Sequence, residues 1–208
     1  MTLPAQLRRL PVNTPVLLPN DPSSRIQLVS PDAPAHIAMT DFRAAPVVTT
    51  RSDSSISDAL AQMKQSGARF AFVLGAHDDL VGSITSYDIQ SEKPMQYMTA
   101  IGCSETTCAW RDVAVDNIME PLSAWQVLDY AQVVRMTVAE VAETLQLAGM
   151  RYLVVVEVGH QPGARQIRGL FSMARLHALL GRLPATSIVP RGMTSLMAAN
   201  SVLTATAA

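Results

Sequence analysis

"SISDALAQMKQSGARFAFVL" (Ser55–Leu74) and "TVAEVAETLQLAGMRYLVVV" (Thr137–Val156) are two copies of one pattern. Ile56, Ala59, Leu60 and Met63 in the first align with Val138, Val141, Ala142 and Leu145 in the second, all at helical spacing. Gly67 aligns with Gly149, Arg69 with Arg151 and Phe72 with Val154, at a constant offset (149 − 67 = 82). Ser55 and Thr137 stand at the helix N-cap, and Asp58 or Glu140 three residues on completes a capping box. The two glycines follow the last periodic residue, where a left-handed C-terminal position favours glycine. The runs "RFAFVL" and "RYLVVV" then read as buried strands, being β-branched and aromatic.

Outward from this pair, each copy continues through a polar turn into another strand: "GAHDD" then "LVGSIT", and "EVGHQPGARQ" then "IRGLFS". The glycines of these strands, Gly82 and Gly169, are offset further (169 − 82 = 87), so the second turn is the longer one. Insertions in a surface turn cost little. Both copies end on a helix start, "SYDIQSE" after Thr85 and "MARLHALLG" after Ser172, with Gly181 as the last stop. Leading strands are expected at "APVVTT" (Ala45–Thr50) and near "LDYAQVVRM" (Leu128–Met136). One such unit leaves an apolar sheet face open, and a second copy covers it. The fold class is therefore α+β, a tandem pair of β-α-β-β-α repeats.

The expected organisation is an irregular N-terminal lead-in over 1–38, repeat one over 39–98, a linker over 99–114, repeat two over 115–183 and a loose C-terminal tail over 184–208. The lead-in holds one candidate strand, "RIQLVS" (Arg25–Ser30), and the tail one candidate short helix, "TSLMAANSVL".

Composition excludes several functions. Apolar residues make up 49% and charged residues 16% of the 208, a globular rather than disordered balance. A net charge of −1 with no basic block argues against a nucleic-acid partner. Prolines interrupt "MTLPAQLRRLPVNTP" before a signal-peptide core can form, and no apolar run approaches the length of a membrane span. A cytoplasmic location is expected. Cys103 and Cys108 are too few for a structural zinc site, and two free thiols are the expectation in a reducing compartment, with a disulfide or redox pair as the alternative. His36, His77, His160 and His177 are scattered, and no nucleophile–base set or phosphate-binding glycine loop is present. The chain does not read as an enzyme.

The ordered pieces "PVVTTRSDSSISDALAQMKQSGARFAFVL…LVGSITSYDI" and "VDNIMEPL…TVAEVAETLQLAGMRYLVVVE…IRGLFSMARL" resemble a pair of cystathionine-β-synthase-type (CBS) domains, the tandem regulatory unit called a Bateman module. "VDNIMEP" (Val115–Pro121) is close to the family's lead-in, and "AMTDF" (Ala38–Phe42) is a weaker version of it. The resemblance covers roughly Met39 to Leu183. It implies a pseudo-twofold pair of β-α-β-β-α units with two clefts between them, an adenosine-containing ligand such as AMP, ADP, ATP or S-adenosylmethionine, a homodimer, and a regulated protein reached in trans. The alternative is a structural dimerisation module without a nucleotide.

The family's ligand signature falls on Gly82-Ser83-Ile84-Thr85-Ser86-Tyr87-Asp88. By that resemblance Asp88, an acceptor with two oxygens, can take both hydroxyls of a ribose diol. Thr85 offers a hydroxyl beside unpaired backbone N–H groups, which suits a phosphate oxygen. Gly82 lets the backbone pass close to a neighbour. Thr85-x-x-Asp88 is equally a plain capping pattern. The second copy keeps a hydroxyl at Ser172 but puts Arg175 where the acid would be, and arginine cannot accept a hydrogen bond. That half is expected to be degenerate, or to read phosphate alone. Arg175 in a first helical turn also opposes the helix dipole, which suggests a compensating anion (a ligand phosphate, Asp88 or another acid), with a solvated surface arginine as the alternative. Arg69 and Arg151, just past the helix-stopping glycines, can reach phosphates in the clefts or serve as surface residues.

Overall fold

The computed structural model describes residues 28–103, 109–159 and 164–181. The C-terminal tail, "TSLMAANSVL", Cys108, His160 and the first half of "RIQLVS" lie outside the described residues. Leu28–Ser30 have no strand structure.

The two repeats form two four-stranded sheets. The elements of repeat one are β1 (Thr40–Asp41), β2 (Thr49–Arg51), α1 (Ile56–Gln65), β3 (Phe70–Leu74), β4 (Leu80–Thr85), α2 (Ser86–Gln90) and α3 (Lys93–Ala100). Those of repeat two are β5 (Glu120–Pro121), β6 (Val127–Asp129), α4 (Tyr130–Val133), α5 (Val138–Ala148), β7 (Tyr152–Val158), β8 (Arg165–Ser172) and α6 (Met173–Leu179). The sheet orders are β2-β3-β4-β5 and β1-β8-β7-β6. Both have a parallel pair beside an antiparallel hairpin, and the register shift at Val73/Leu74 recurs at Val155/Val156. This is the mixed α+β, two-sheet architecture expected of the pair.

Each lead-in crosses to the other repeat's sheet. β1 pairs antiparallel with β8, and β5 with β4. The 3-10 turn Ala35–Ala38 sits in the core of repeat two, whereas Val113, Val115 and Ile118 sit in the core of repeat one. Gly82 and Gly169 make the crossings possible. A Cβ on Gly82 would collide with the Glu120 carbonyl, and one on Gly169 with the Thr40 carbonyl and the Met39 side chain.

Period-2 alternation sends side chains to different cores. In β3, Ala71 and Val73 face the helices of their own repeat, while Phe70 and Phe72 face the other sheet. In β7, Leu153 and Val155 face the helices, while Val154 meets Phe70, Phe72 and Leu170 between the sheets. Phe72 packs edge-on to Phe42 and Phe70, with ring centroids 5.6 and 5.0 Å away.

Local chemistry ends the helices as expected. Gly67, Gly149 and Gly181 have φ of 66°, 65° and 65°. Thr137 and Glu140 form a full capping box on α5. Ser55 caps α1 through the Asp58 N–H, and its hydroxyl donates to the Asp58 carboxylate. Three expectations need correction. The leading strand of repeat one is confined to Thr49–Arg51 within a longer extended run. In repeat two only Val127–Asp129 is strand, because Asp129 caps a short helix that takes the next residues. Cys103 is disulfide-bonded, not a free thiol; the chain's other cysteine is Cys108.

Candidate functional site

Two clefts open between the repeats, and each draws its residues from both. Cleft one has a volume of about 280 Å³ and is lined by Thr85, Tyr87 and Asp88 of repeat one with Trp125, Arg151 and Tyr152 of repeat two. Cleft two is larger, about 750 Å³, and inverts the contribution: Arg69 and the β2 approach come from repeat one, Ser172 and Arg175 from repeat two. Phe70 and Tyr152 line both, so the clefts share a wall.

The residues singled out from the sequence thus divide in two sets. Thr85, Asp88 and Arg151 meet in cleft one; Arg69, Ser172 and Arg175 meet in cleft two. Gly82 lies behind cleft one, against the β5 backbone, and lines neither.

In cleft one the Asp88 carboxylate folds back on its own helix. Its Oδ2 accepts from the Thr85 hydroxyl at 2.6 Å and the Thr85 N–H at 2.9 Å, and the Asp88 N–H donates to Thr85 Oγ1 at 3.1 Å. Its Oδ1 takes Lys93 Nζ at 2.5 Å. Lys93 enters through α3, a helix the sequence pattern did not signal. Arg151 stacks on the Tyr87 ring, its guanidinium carbon 4.2 Å from the centroid. Arg69 donates to the Tyr87 hydroxyl at 3.2 Å from the other side. The phenol pKa of Tyr152, on the wall of the same cleft, is pushed up to about 12, chiefly by burial; Tyr87 and Asp88 add to the rise and Arg69 and Arg151 oppose it.

Cleft two has a different chemistry. Ser172 is the N-cap of α6 but its hydroxyl makes no capping bond, unlike Thr85. Arg175 turns its Nε to the Ala38 carbonyl at 3.2 Å, so a backbone dipole answers the charge that was expected to need an anion.

Sequence reasoning missed Trp125 and Tyr87 as cleft residues. Trp125 lies in a stretch without periodic signal, and only the pairing of β6 with β7 carries its loop to the cleft.

Two sheets built from an internal repeat, with a cleft at each inter-repeat junction, define a tandem α+β pair. Residues 22–93 match the family model described as CBS domain. No curated protein matches the chain. It is similar to solved structures of an uncharacterized conserved protein from Pyrococcus horikoshii (18% identity, TM-score 0.49, covering 76% of this chain and 100% of that one). It is also similar to a putative signal-transduction protein with CBS domains from Burkholderia ambifaria MC40-6 (19% identity, TM-score 0.47, 74% and 98% covered). A further likeness is to CBSX2, solved in complex with AMP (18% identity, TM-score 0.44, 69% and 93% covered). No helix among the described residues is long and apolar enough to cross a membrane.

Proposed function

We propose that the chain is a non-catalytic regulatory module that binds an adenosine-containing ligand, AMP, ADP, ATP or S-adenosylmethionine, in cleft one. It then signals to a separate protein through a change in shape or in a homodimer contact. One juxtaposition carries this reading: the Asp88 carboxylate and the Arg151 guanidinium, from different repeats, line the same cleft. The first suits a ribose diol and the second a phosphate, with Tyr87, Trp125 and Tyr152 as flat surfaces for a base. The Lys93–Asp88 pair does not block a ligand, because a partly exposed ion pair contributes about 1 kcal/mol at most. At about 280 Å³ the cleft falls just below the usual ligand-pocket range of roughly 300–1,000 Å³, so a nucleotide would fill it and extend out of its open mouth.

The capping box favours a second reading, a dimerisation module with no nucleotide, in which Asp88 serves only its own helix. Thermal shift with AMP, ADP, ATP, S-adenosylmethionine and NAD separates the two. A nucleotide that binds the folded state raises the melting temperature by mass action. Asp88→Ala should abolish that rise while the protein still folds. If none of the panel shifts the wild type and Asp88→Ala merely lowers its stability, the capping reading stands and this one fails.

A further inference from the structure

Among the described residues, the charged side chains that line cleft one are Asp88, Glu120 and Arg151. Ser83, Thr85 and Gln126 add polar atoms there but no charge. Asp88 is already engaged, by Thr85 at one oxygen and Lys93 at the other. Glu120 is not. Its backbone is fixed by the pairing of β5 with Ser83 on β4, but its side chain is exposed. The Glu120 carboxylate makes no hydrogen bond or ion pair with any described residue. Arg151 likewise has no carboxylate partner among the described residues, its guanidinium lying flat over Tyr87.

The cleft therefore offers one uncommitted anion and one uncommitted cation. An α-amino-acid group carries the complementary pair: its ammonium suits the Glu120 carboxylate and its carboxylate suits the Arg151 guanidinium. Stacking on Tyr87 leaves the N–H edges of Arg151 open to a planar, two-oxygen acceptor, the geometry in which arginine binds carboxylates best. A polyphosphate fits this charge pattern poorly. It would set several negative charges against one guanidinium, next to a free carboxylate that repels them.

We propose that Glu120 is the specificity-determining residue of cleft one, selecting adenosine ligands that carry an α-amino-acid group, the S-adenosylmethionine class, over nucleoside polyphosphates. This rests on the adenosine reading of cleft one given above and adds the identity of the ligand's second half. Asp88 serves the ribose, while Glu120 and Arg151 hold the ammonium and the carboxylate. Glu120 enters from the lead-in of repeat two and Asp88 from repeat one, so one ligand spans both repeats.

The test is isothermal titration of the full chain with S-adenosylmethionine, S-adenosylhomocysteine, 5′-methylthioadenosine and ATP. The first two carry the amino-acid group, and the third is the same adenosine thioether without it. Both amino-acid ligands should bind about fivefold or more tighter than 5′-methylthioadenosine and ATP, since each partly exposed charge pair contributes a factor of up to about five. Glu120→Gln should weaken the two amino-acid ligands by about two- to fivefold and leave 5′-methylthioadenosine unchanged. It should tighten ATP by a similar factor, with thermal melts reporting that the variant folds. Four results overturn the proposal: ATP binding as tightly as the amino-acid ligands, 5′-methylthioadenosine doing so, a preference for S-adenosylmethionine that S-adenosylhomocysteine does not share, or a preference that survives Glu120→Gln. In each of those cases an adenosine ligand still binds, so the adenosine reading of cleft one stands while this one falls. Binding of none of the four sinks both.

Discussion

Lys93 Nζ stands 2.5 Å from Asp88 Oδ1, on the far side of the carboxylate from the Thr85 hydroxyl that holds Oδ2. The carboxylate is thus divided: one oxygen caps α2 and the other is held by a side chain that is about half exposed. A ribose diol in cleft one would compete with Lys93 for Oδ1 alone. Lys93→Ala removes the competitor at a stability cost of about 1 kcal/mol at most. It should therefore tighten AMP binding by up to about fivefold. Calorimetric titration of the variant against wild type reads this directly, and weaker binding would mean that Lys93 touches the ligand instead.

Phe72 ties the repeats together. It is 2% exposed, and its ring lies 5.6 Å from Phe42, 5.0 Å from Phe70 and 5.9 Å from Trp125. Those partners come from β3, from the segment after β1 and from the approach to β6, so the contact spans both repeats. Phe72→Ala should destabilise the protein by about 3–5 kcal/mol through lost burial and the cavity left behind. Because each lead-in completes the other repeat's core, unfolding should remain one transition in urea. Two separate transitions, or a loss under about 1 kcal/mol, would contradict the shared-core account.

How much of this was legible follows from where each signal resides. The capping residues Ser55, Thr137 and Thr85, the stopping glycines and the alternating strands are local features, and a local pattern with an internal copy can be read without coordinates. The crossing of the lead-ins could not, because β1 and β5 are two residues long and carry no period. Arg168 shows the same limit. It reads as an ordinary strand arginine, but it is 6% exposed, bonded to Asp41 and 3.5 Å from Glu157, with its guanidinium over Tyr130. Its Nε makes no hydrogen bond, so the Glu157 contact is one of charge rather than of bond geometry. Asp41 lies 127 residues away on β1 and Glu157 on the neighbouring β7, and only the register of β8 brings the three together. For the site, the two sets of cleft residues were legible through the repeat, but their division between clefts needed the inter-repeat packing.

Tyr152, on the wall common to both clefts, gives a pH signature. Its phenol is pushed up to about 12 from 10.0, mainly by burial. Between those values an unfolded chain has released this proton while the folded chain still holds it. The folded state then binds more protons, so stability falls as pH rises through the window and is unaffected by this group below pH 10. Tyr152→Phe removes the titration. Urea unfolding at pH 9 and pH 11 should show a smaller alkaline loss in the variant than in wild type, and an equal loss would place the ionisation elsewhere.

Tyr87 joins the two clefts through a pair of arginines. Arg151, in cleft one, stacks on its ring at 4.2 Å, and Arg69, in cleft two, donates to its hydroxyl at 3.2 Å. Two substitutions separate these contacts. Tyr87→Phe keeps the ring and loses the acceptor, so Arg151 stays in place while Arg69 is released. AMP binding should then be unchanged, because the ring that stacks on Arg151 is kept. Tyr87→Ala removes both contacts and should also weaken AMP, by about two- to fivefold for a partly exposed cation–π contact. Paired titrations of the two variants read the difference. If Tyr87→Phe and Tyr87→Ala behave alike toward AMP, the ring does not position Arg151, and the link between the clefts through Tyr87 is lost.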